Sequence, residues 1–258
     1  PDANAPEREK ELDERLLASP ALALGTRTQV LDFMAETAVA ALKDSLENVI
    51  HYEEDRAEKI RKAEDETDHL EDVIGTYLLK LTSRHLSEEE SARATEYMKL
   101  IGDYERIADH AVNILESAEE MRNKNVTFSE NAAYEYSVIC EAVIEILDLS
   151  YQAFLKDDLH SARMTESLEQ VIDKLKEELR TRHFIRLQNR ECSVAAGFIW
   201  SDLLTNLERV SDHCSNISGC VLDTADRNMN MHENQRIIRD SKEDYEQQYN
   251  MYLAKYCS

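Results

Sequence analysis

Glu105-Arg106-Ile107-Ala108-Asp109-His110-Ala111-Val112-Asn113-Ile114 is answered, later in the same 258-residue chain, by Glu208-Arg209-Val210-Ser211-Asp212-His213-Cys214-Ser215-Asn216-Ile217. Glu-Arg, Asp-His and Asn-Ile recur in register at one offset, 208 − 105 = 103. An earlier pair, Glu64 and Asp68, returns as Glu169 and Asp173 at 169 − 64 = 105. A two-residue loop difference between the second and third helices of each half would reconcile the two offsets. A repeat of this period takes precedence over any local motif, because each copy is then one supersecondary unit that buries its apolar face against its neighbour.

Outward from this stretch the periodicity is helical. Tyr97, Ile101, Tyr104, Ala108 and Ala111 recur at three or four residues, as one face of a helix requires, and Ser87 with Glu90 reads as the capping box that opens it. Leu31, Met34, Ala38, Leu42 and Val49 mark a first helix beginning near Thr26. Ile60, Ala63, Thr67, Leu70, Ile74, Tyr77 and Leu81 mark a second from about Asp55. The pattern restarts with Thr127 and Glu130 as a further capping box. The later seams run through Val138, Ile144, Leu147 and Tyr151, then Leu168, Ile172, Leu175 and Leu179, then Leu204, Leu207, Ser211, Cys214 and Ile217. Around Arg190–Phe198, Cys192, Ala195, Ala196 and Gly197 weaken the start of the sixth helix. The expected fold is all-α: two tandem three-helix bundles related by internal duplication, plus a C-terminal helix. The expected boundaries are an arm over 1–24, bundles over 25–126 and 127–230, and a helix over 231–258. In that last segment Tyr245, Tyr249, Tyr252 and Tyr256 form one stripe, suited to packing the tail on a bundle.

Composition agrees: 5 Gly and 3 Pro leave little for a turn-rich β fold. Acidic residues outnumber basic ones 53 to 30, for a net charge of −23, which repels nucleic acid and invites cations or basic partners. Cys140, Cys192, Cys214, Cys220 and Cys257 are odd in number and form no CxxC, as reduced thiols would. No apolar run approaches the roughly 18 residues that span a bilayer.

Four Glu-x-x-x-Asp pairs carry the chemistry: Glu64/Asp68, Glu105/Asp109, Glu169/Asp173 and Glu208/Asp212. Residues four apart share a helix face one turn apart, and without a cation such like charges cost about 0.2–0.5 kcal/mol per pair. Roughly ten acidic pairs of this spacing arise by chance in so acidic a chain, so the placement matters more than the spacing. Each acid directly follows a seam residue (Ala63, Thr67, Tyr104, Ala108, Leu168, Ile172, Leu207, Ser211) and therefore borders the groove between packed helices. If the second and third helices of each half adjoin, four carboxylates converge there. Such hard oxygen donors suit Mg²⁺, Mn²⁺, Ca²⁺ or iron. Asn113 and Asn216 extend two of the faces, and His110 and His213 stand beside them as further candidate ligands. The competing account is salt bridging to Arg106, Arg209, His110 and His213. A di-iron oxidase would need two Glu-x-x-His motifs, and only Glu66/His69 fits. P-loop, nucleophile-elbow and zinc-ligand spacings are all missing, so no enzyme is expected.

Over residues 26–225 these blocks resemble the phosphate-uptake regulator (PhoU) family, whose signature is a repeated Glu/Asp-x-x-x-Asp on duplicated three-helix bundles. The resemblance implies multinuclear metal binding through the eight acids (Fe, Mn, Mg, Ca and Zn are not distinguished) and regulation of phosphate uptake. The arm Leu12-Asp13-Glu14-Arg15-Leu16-Leu17-Ala18-Ser19-Pro20-Ala21-Leu22-Ala23-Leu24 is similar to the segment after the last membrane helix of bacterial sodium/phosphate cotransporters, and Tyr249–Tyr256 to their tails. That implies a metal-binding cytoplasmic regulatory domain on a transporter of the inner or plasma membrane. The alternatives are a stand-alone adaptor docking a histidine kinase or ABC importer, and a metal-free helical scaffold. Phosphate and a second copy of the chain are further candidate partners.

Overall fold

The computed structural model describes Leu12, Leu17, Ser19, Ala23, Leu24, residues 29–227 and residues 231–257, with backbone only at 226 and 231–243. The remainder of the arm assigned to residues 1–24 lies outside the described residues. The elements are α1 (Gln29–Ile50), α2 (Glu54–Thr82), α3 (Glu88–Asn123), α4 (Glu130–Lys156), α5 (Leu159–Gln188), α6 (Val194–Arg227) and α7 (Met231–Tyr256).

Short connections fold successive helices back on one another, so α1–α3 and α4–α6 each form a three-helix bundle. The bundles join chiefly where α3 lies against α6, and one continuous apolar core runs through both. α3 and α6 are antiparallel: Glu96 meets Thr224 at 2.8 Å, while Asp103 meets His213 at 2.9 Å. α1 and α4 add cross-bundle contacts, with Tyr136 Oη donating to the Leu46 carbonyl and Lys43 paired to Asp148. α7 packs on α5, burying Tyr252 and Tyr256 of the tyrosine stripe. Leu17 and Leu24 of the arm are also buried, and Tyr97 Oη donates to the Leu24 carbonyl.

Helix ends follow local chemistry. Ser87 Oγ accepts from the Glu90 amide, and the Glu90 carboxylate accepts from the Ser87 amide at 2.8 Å, completing the expected capping box. Thr127, however, is not the cap of α4. Ser129 is, accepting from the Ala132 amide, so Glu130 becomes the first helical residue rather than the third. Asn125, Asp157 and Arg190 follow the C-terminal ends of α3, α4 and α5 with φ of 51°, 50° and 60°, the left-handed turn that lets the chain leave a helix. Ser193 Oγ accepts from the Ala196 amide and starts α6, the boundary its weak sequence blurred.

Two sequence expectations shift. The core face of α4 runs through Tyr136, Ile139, Cys140, Val143, Ile146, Leu147 and Ser150, so Val138, Ile144 and Tyr151 sit at its margin. Adjacent apolar pairs such as Val138-Ile139 and Val143-Ile144 leave periodicity with two nearly equal phases. The two-residue difference between the repeats is not in the loops. Residues 83–87 and 189–193 are equally long, and α6 begins closer to Glu208 than α3 begins to Glu105.

Candidate metal centre

The acids border helix-helix grooves because the residue before each one points into the core. Thr67, Tyr104, Ala108, Leu168, Ile172, Leu207 and Ser211 are all buried, and only Ala63 is half-buried. α2 packs on α3 and α5 on α6, so each repeat brings its own two pairs to one groove. Among the described residues three of these acids, Glu169, Asp173 and Asp212 of the second repeat, converge closely enough to share an ion.

In the second repeat the geometry is tightest. Glu169, Asp173 and Asp212 each present a carboxylate oxygen, and the three oxygens lie within 4.8 Å of one another. Asp173 Oδ1 is buried without a hydrogen-bond partner. Burial lifts the Asp173 carboxyl above its usual range, and Glu208 and Asp212 push it further. Glu169 is also raised, chiefly by burial, although Gln170 donates to it at 2.8 Å. Glu208, the fourth acid, is paired with Lys176 at 2.8 Å, and Asp212 is within 3.3 Å of Arg209. Of the expected competing salt bridges, Arg209–Asp212 is thus present. The stronger one, from Lys176, was not anticipated.

In the first repeat Glu105 is pushed up to about 7, by burial first and then by Asp109 and Glu71. Glu64 is raised by burial and by Asp109, Asp65 and Asp68. Glu71 turns toward α3, where its Oε1 lies 3.7 Å from the place a Cβ on Gly102 would occupy. Arg61, the basic group near Glu64, is held by both oxygens of Glu119 at 2.9 and 2.8 Å.

The additional candidate ligands are placed differently. His213 Nδ1 and Asn216 Nδ2 both engage Asp103 Oδ1, at 2.9 and 3.2 Å, and His110 Nδ1 meets Asn206 Oδ1 at 2.8 Å. These contacts bind α3 to α6, while Asn113 is exposed on its own helix. Sequence reasoning missed Glu71, Lys176, Asp103 and Asn206. The duplication itself carried the signal, since position 71 maps to 176 and position 103 to 206 at the offsets already seen.

The donor set fits a hard cation. Several close carboxylates with raised proton affinity and one buried unpartnered oxygen form a site that is unfavourable without positive charge. The model of the PhoU domain matches residues 31–118 and 137–221, one match in each repeat. A phosphate-specific transport system accessory protein PhoU homolog from Thermotoga maritima is 22% identical over 178 residues, covering 69% of this chain and 76% of the relative. The crystal structure of PhoU from Pseudomonas aeruginosa has a TM-score of 0.64 at 21% identity, covering 85% of this chain and 98% of that one. The phosphate transport system regulatory protein PhoU from Streptococcus pneumoniae has a TM-score of 0.66 at 17% identity, covering 80% and 97%. At these identities the structural likeness establishes the fold.

Proposed function

The chain belongs to the PhoU domain family, and on that premise we propose that it regulates phosphate transport as a non-catalytic module, binding hard cations at its carboxylate clusters and docking on a phosphate transport system. The observation that carries the metal reading is the triad of Glu169, Asp173 and Asp212, whose oxygens lie within 4.8 Å of one another around the unpartnered Asp173 Oδ1. In the first repeat Glu64, Asp68, Glu105 and Asp109 would hold the ion. A bound cation would supply positive charge that offsets the repulsion among the acids.

Relatives named as an accessory protein and a regulatory protein of phosphate transport support a separate adaptor. In that role the chain would dock an importer component or a sensor kinase at the cytoplasmic face of the membrane. A second reading, a domain carried by a sodium/phosphate cotransporter, rests on the arm, whose Leu17, Ala23 and Leu24 pack as buried residues. No helix among the described residues is long and apolar enough to cross a membrane. Reading the gene upstream of Pro1 discriminates between the two: several membrane-length apolar segments in frame support the cotransporter, and an initiator codon close by supports the adaptor.

Elemental analysis of the purified protein, with melts before and after chelation, tests the metal reading. A ligand that binds only the folded state stabilises it by about 2.7 kcal/mol at a hundredfold excess over Kd. Stoichiometric metal and a melting temperature that falls on chelation are expected. No uptake of Mg²⁺, Mn²⁺ or Fe²⁺ and no shift would leave a metal-free helical scaffold.

A further inference from the structure

Several positions that act on the clusters differ between the repeats, Asp65 against Gln170 and Arg61 against Glu166 among them, and one of them inverts the charge in the groove itself. Lys176 Nζ lies 2.8 Å from Glu208, with both side chains largely withdrawn from water at 16% and 20% exposure. The equivalent of Glu208 is Glu105, and the equivalent of Lys176 is Glu71, which lies beside Glu105 and adds negative charge there. An ammonium–carboxylate pair in one repeat thus stands where the other has two carboxylates. The second repeat keeps Glu169, Asp173 and Asp212 for an external ion, while the first confronts Glu64, Asp68, Glu71, Glu105 and Asp109.

We propose that Lys176 is a built-in counter-cation that makes the two clusters unequal. It neutralises Glu208 and removes it from the ligand set, so the second cluster binds a single ion through three carboxylates. In the first cluster the cations that act on Glu64 and Glu105 are Arg61, which Glu119 also holds, and Arg106. A carboxylate, Glu71, stands where the second repeat has its ammonium, so neutralisation there depends more on bound metal. This rests on the metal-binding reading above and deepens it. A tethered ammonium opposes a second cation in the same groove, because two like charges a few ångström apart repel substantially at the effective dielectric of a protein surface. A carboxylate at that place does the opposite. The sign of charge at positions 71 and 176 therefore ranks the sites, the first repeat binding more tightly and with more ions.

The test uses Mn²⁺ as probe, by calorimetric titration of the chelator-treated chain, for wild type, Glu71→Lys, Lys176→Met and Lys176→Glu. Wild type is expected to show two classes of site. Glu71→Lys should remove or weaken the tight class by about tenfold or more, and should raise the melting temperature of the metal-free protein. Lys176→Met should tighten the weak class and lower the metal-free melting temperature, with Lys176→Glu going further in both. Should Lys176→Glu fail to fold, as judged by far-UV circular dichroism, Lys176→Met and Glu71→Lys still decide the question. Mn²⁺ binding in one class, unchanged by Lys176→Met and Glu71→Lys, would overturn the inequality and leave the metal reading standing. No Mn²⁺ uptake by wild type or by any variant would overturn the metal reading, and this inference with it.

Discussion

The imidazoles of His110 and His213, equivalent residues of the two repeats, lie against each other with ring centroids 5.6 Å apart. Each reaches across to the other repeat at an equivalent position, His213 to Asp103 and His110 to Asn206. One side of the pseudo-twofold is a histidine–carboxylate contact and the other a histidine–amide contact. Burial lowers the pKa of His110, which His213 and Arg209 reinforce and Asp109 and the Asn206 hydrogen bond oppose.

His110 should therefore titrate below the ordinary histidine value, and this is measurable by NMR. A lowered histidine means the folded state holds fewer protons than the unfolded one, so stability present above the unfolded value, about 6.5, is lost as pH falls from there through the lower folded value. Asn206→Asp places a carboxylate on the ring and should move the His110 titration upward. An unchanged titration would show that the amide contact does not set it.

Glu105 carries the opposite sign. Its folded pKa of about 7 lies above that of an unfolded glutamate. Its contribution to stability is full below pH ~4.3 and is lost as pH rises through about 7. Chelator-treated protein should show this loss between those limits in melts across pH, and Glu105→Gln should flatten it. Since a cation competes with the proton, Mn²⁺ affinity should climb over the same range.

Capping can be tested by an unequal pair of substitutions. Ser129→Ala removes the acceptor for the Ala132 amide and should cost about 1 kcal/mol in urea unfolding. Thr127→Ala should cost little. Equal losses would mean that Thr127 shares the capping.

Glu135 and Arg186 form an ion pair 2.7 Å apart, both buried, with the guanidinium 5.7 Å from the Trp200 ring. Glu135→Ala leaves a buried cation with only the distant, half-exposed Arg182 pair released beside it, and should cost about 3–5 kcal/mol. Replacing both partners with leucine should recover most of that loss. Denaturant midpoints of the single and double variants decide the point.

Much of this architecture was legible in the sequence because helix periodicity and duplication are both long-range patterns. The seams of α1, α2, α5 and α6 and the Ser87 cap follow directly. α4 was mis-phased because its adjacent apolar residues satisfy two faces at once. At the candidate site, the placement of the acids along the helix-helix grooves was legible through their position next to the seam. Their partners were not, since a lysine eight residues past Leu168 has no local mark that it will bend toward Glu208. Only setting the repeats side by side, Glu71 against Lys176, exposes that contact. The histidines stood in the right motif, but which helix they faced depended on how the two bundles met.

The antiparallel contact of α3 with α6 has the geometry of a self-complementary dimer interface, in which a patch meets its own copy. Two separate copies of one repeat could meet in this way, but every residue would then appear twice. An aspartate opposite histidine on one side would oblige an aspartate on the other, and a lysine in one carboxylate groove would oblige a lysine in both. Fusion into one polypeptide removes that obligation. Asp103 with Asn206, and Glu71 with Lys176, are pairs that two identical copies could not hold, so the single chain gives the two grooves the freedom to specialise.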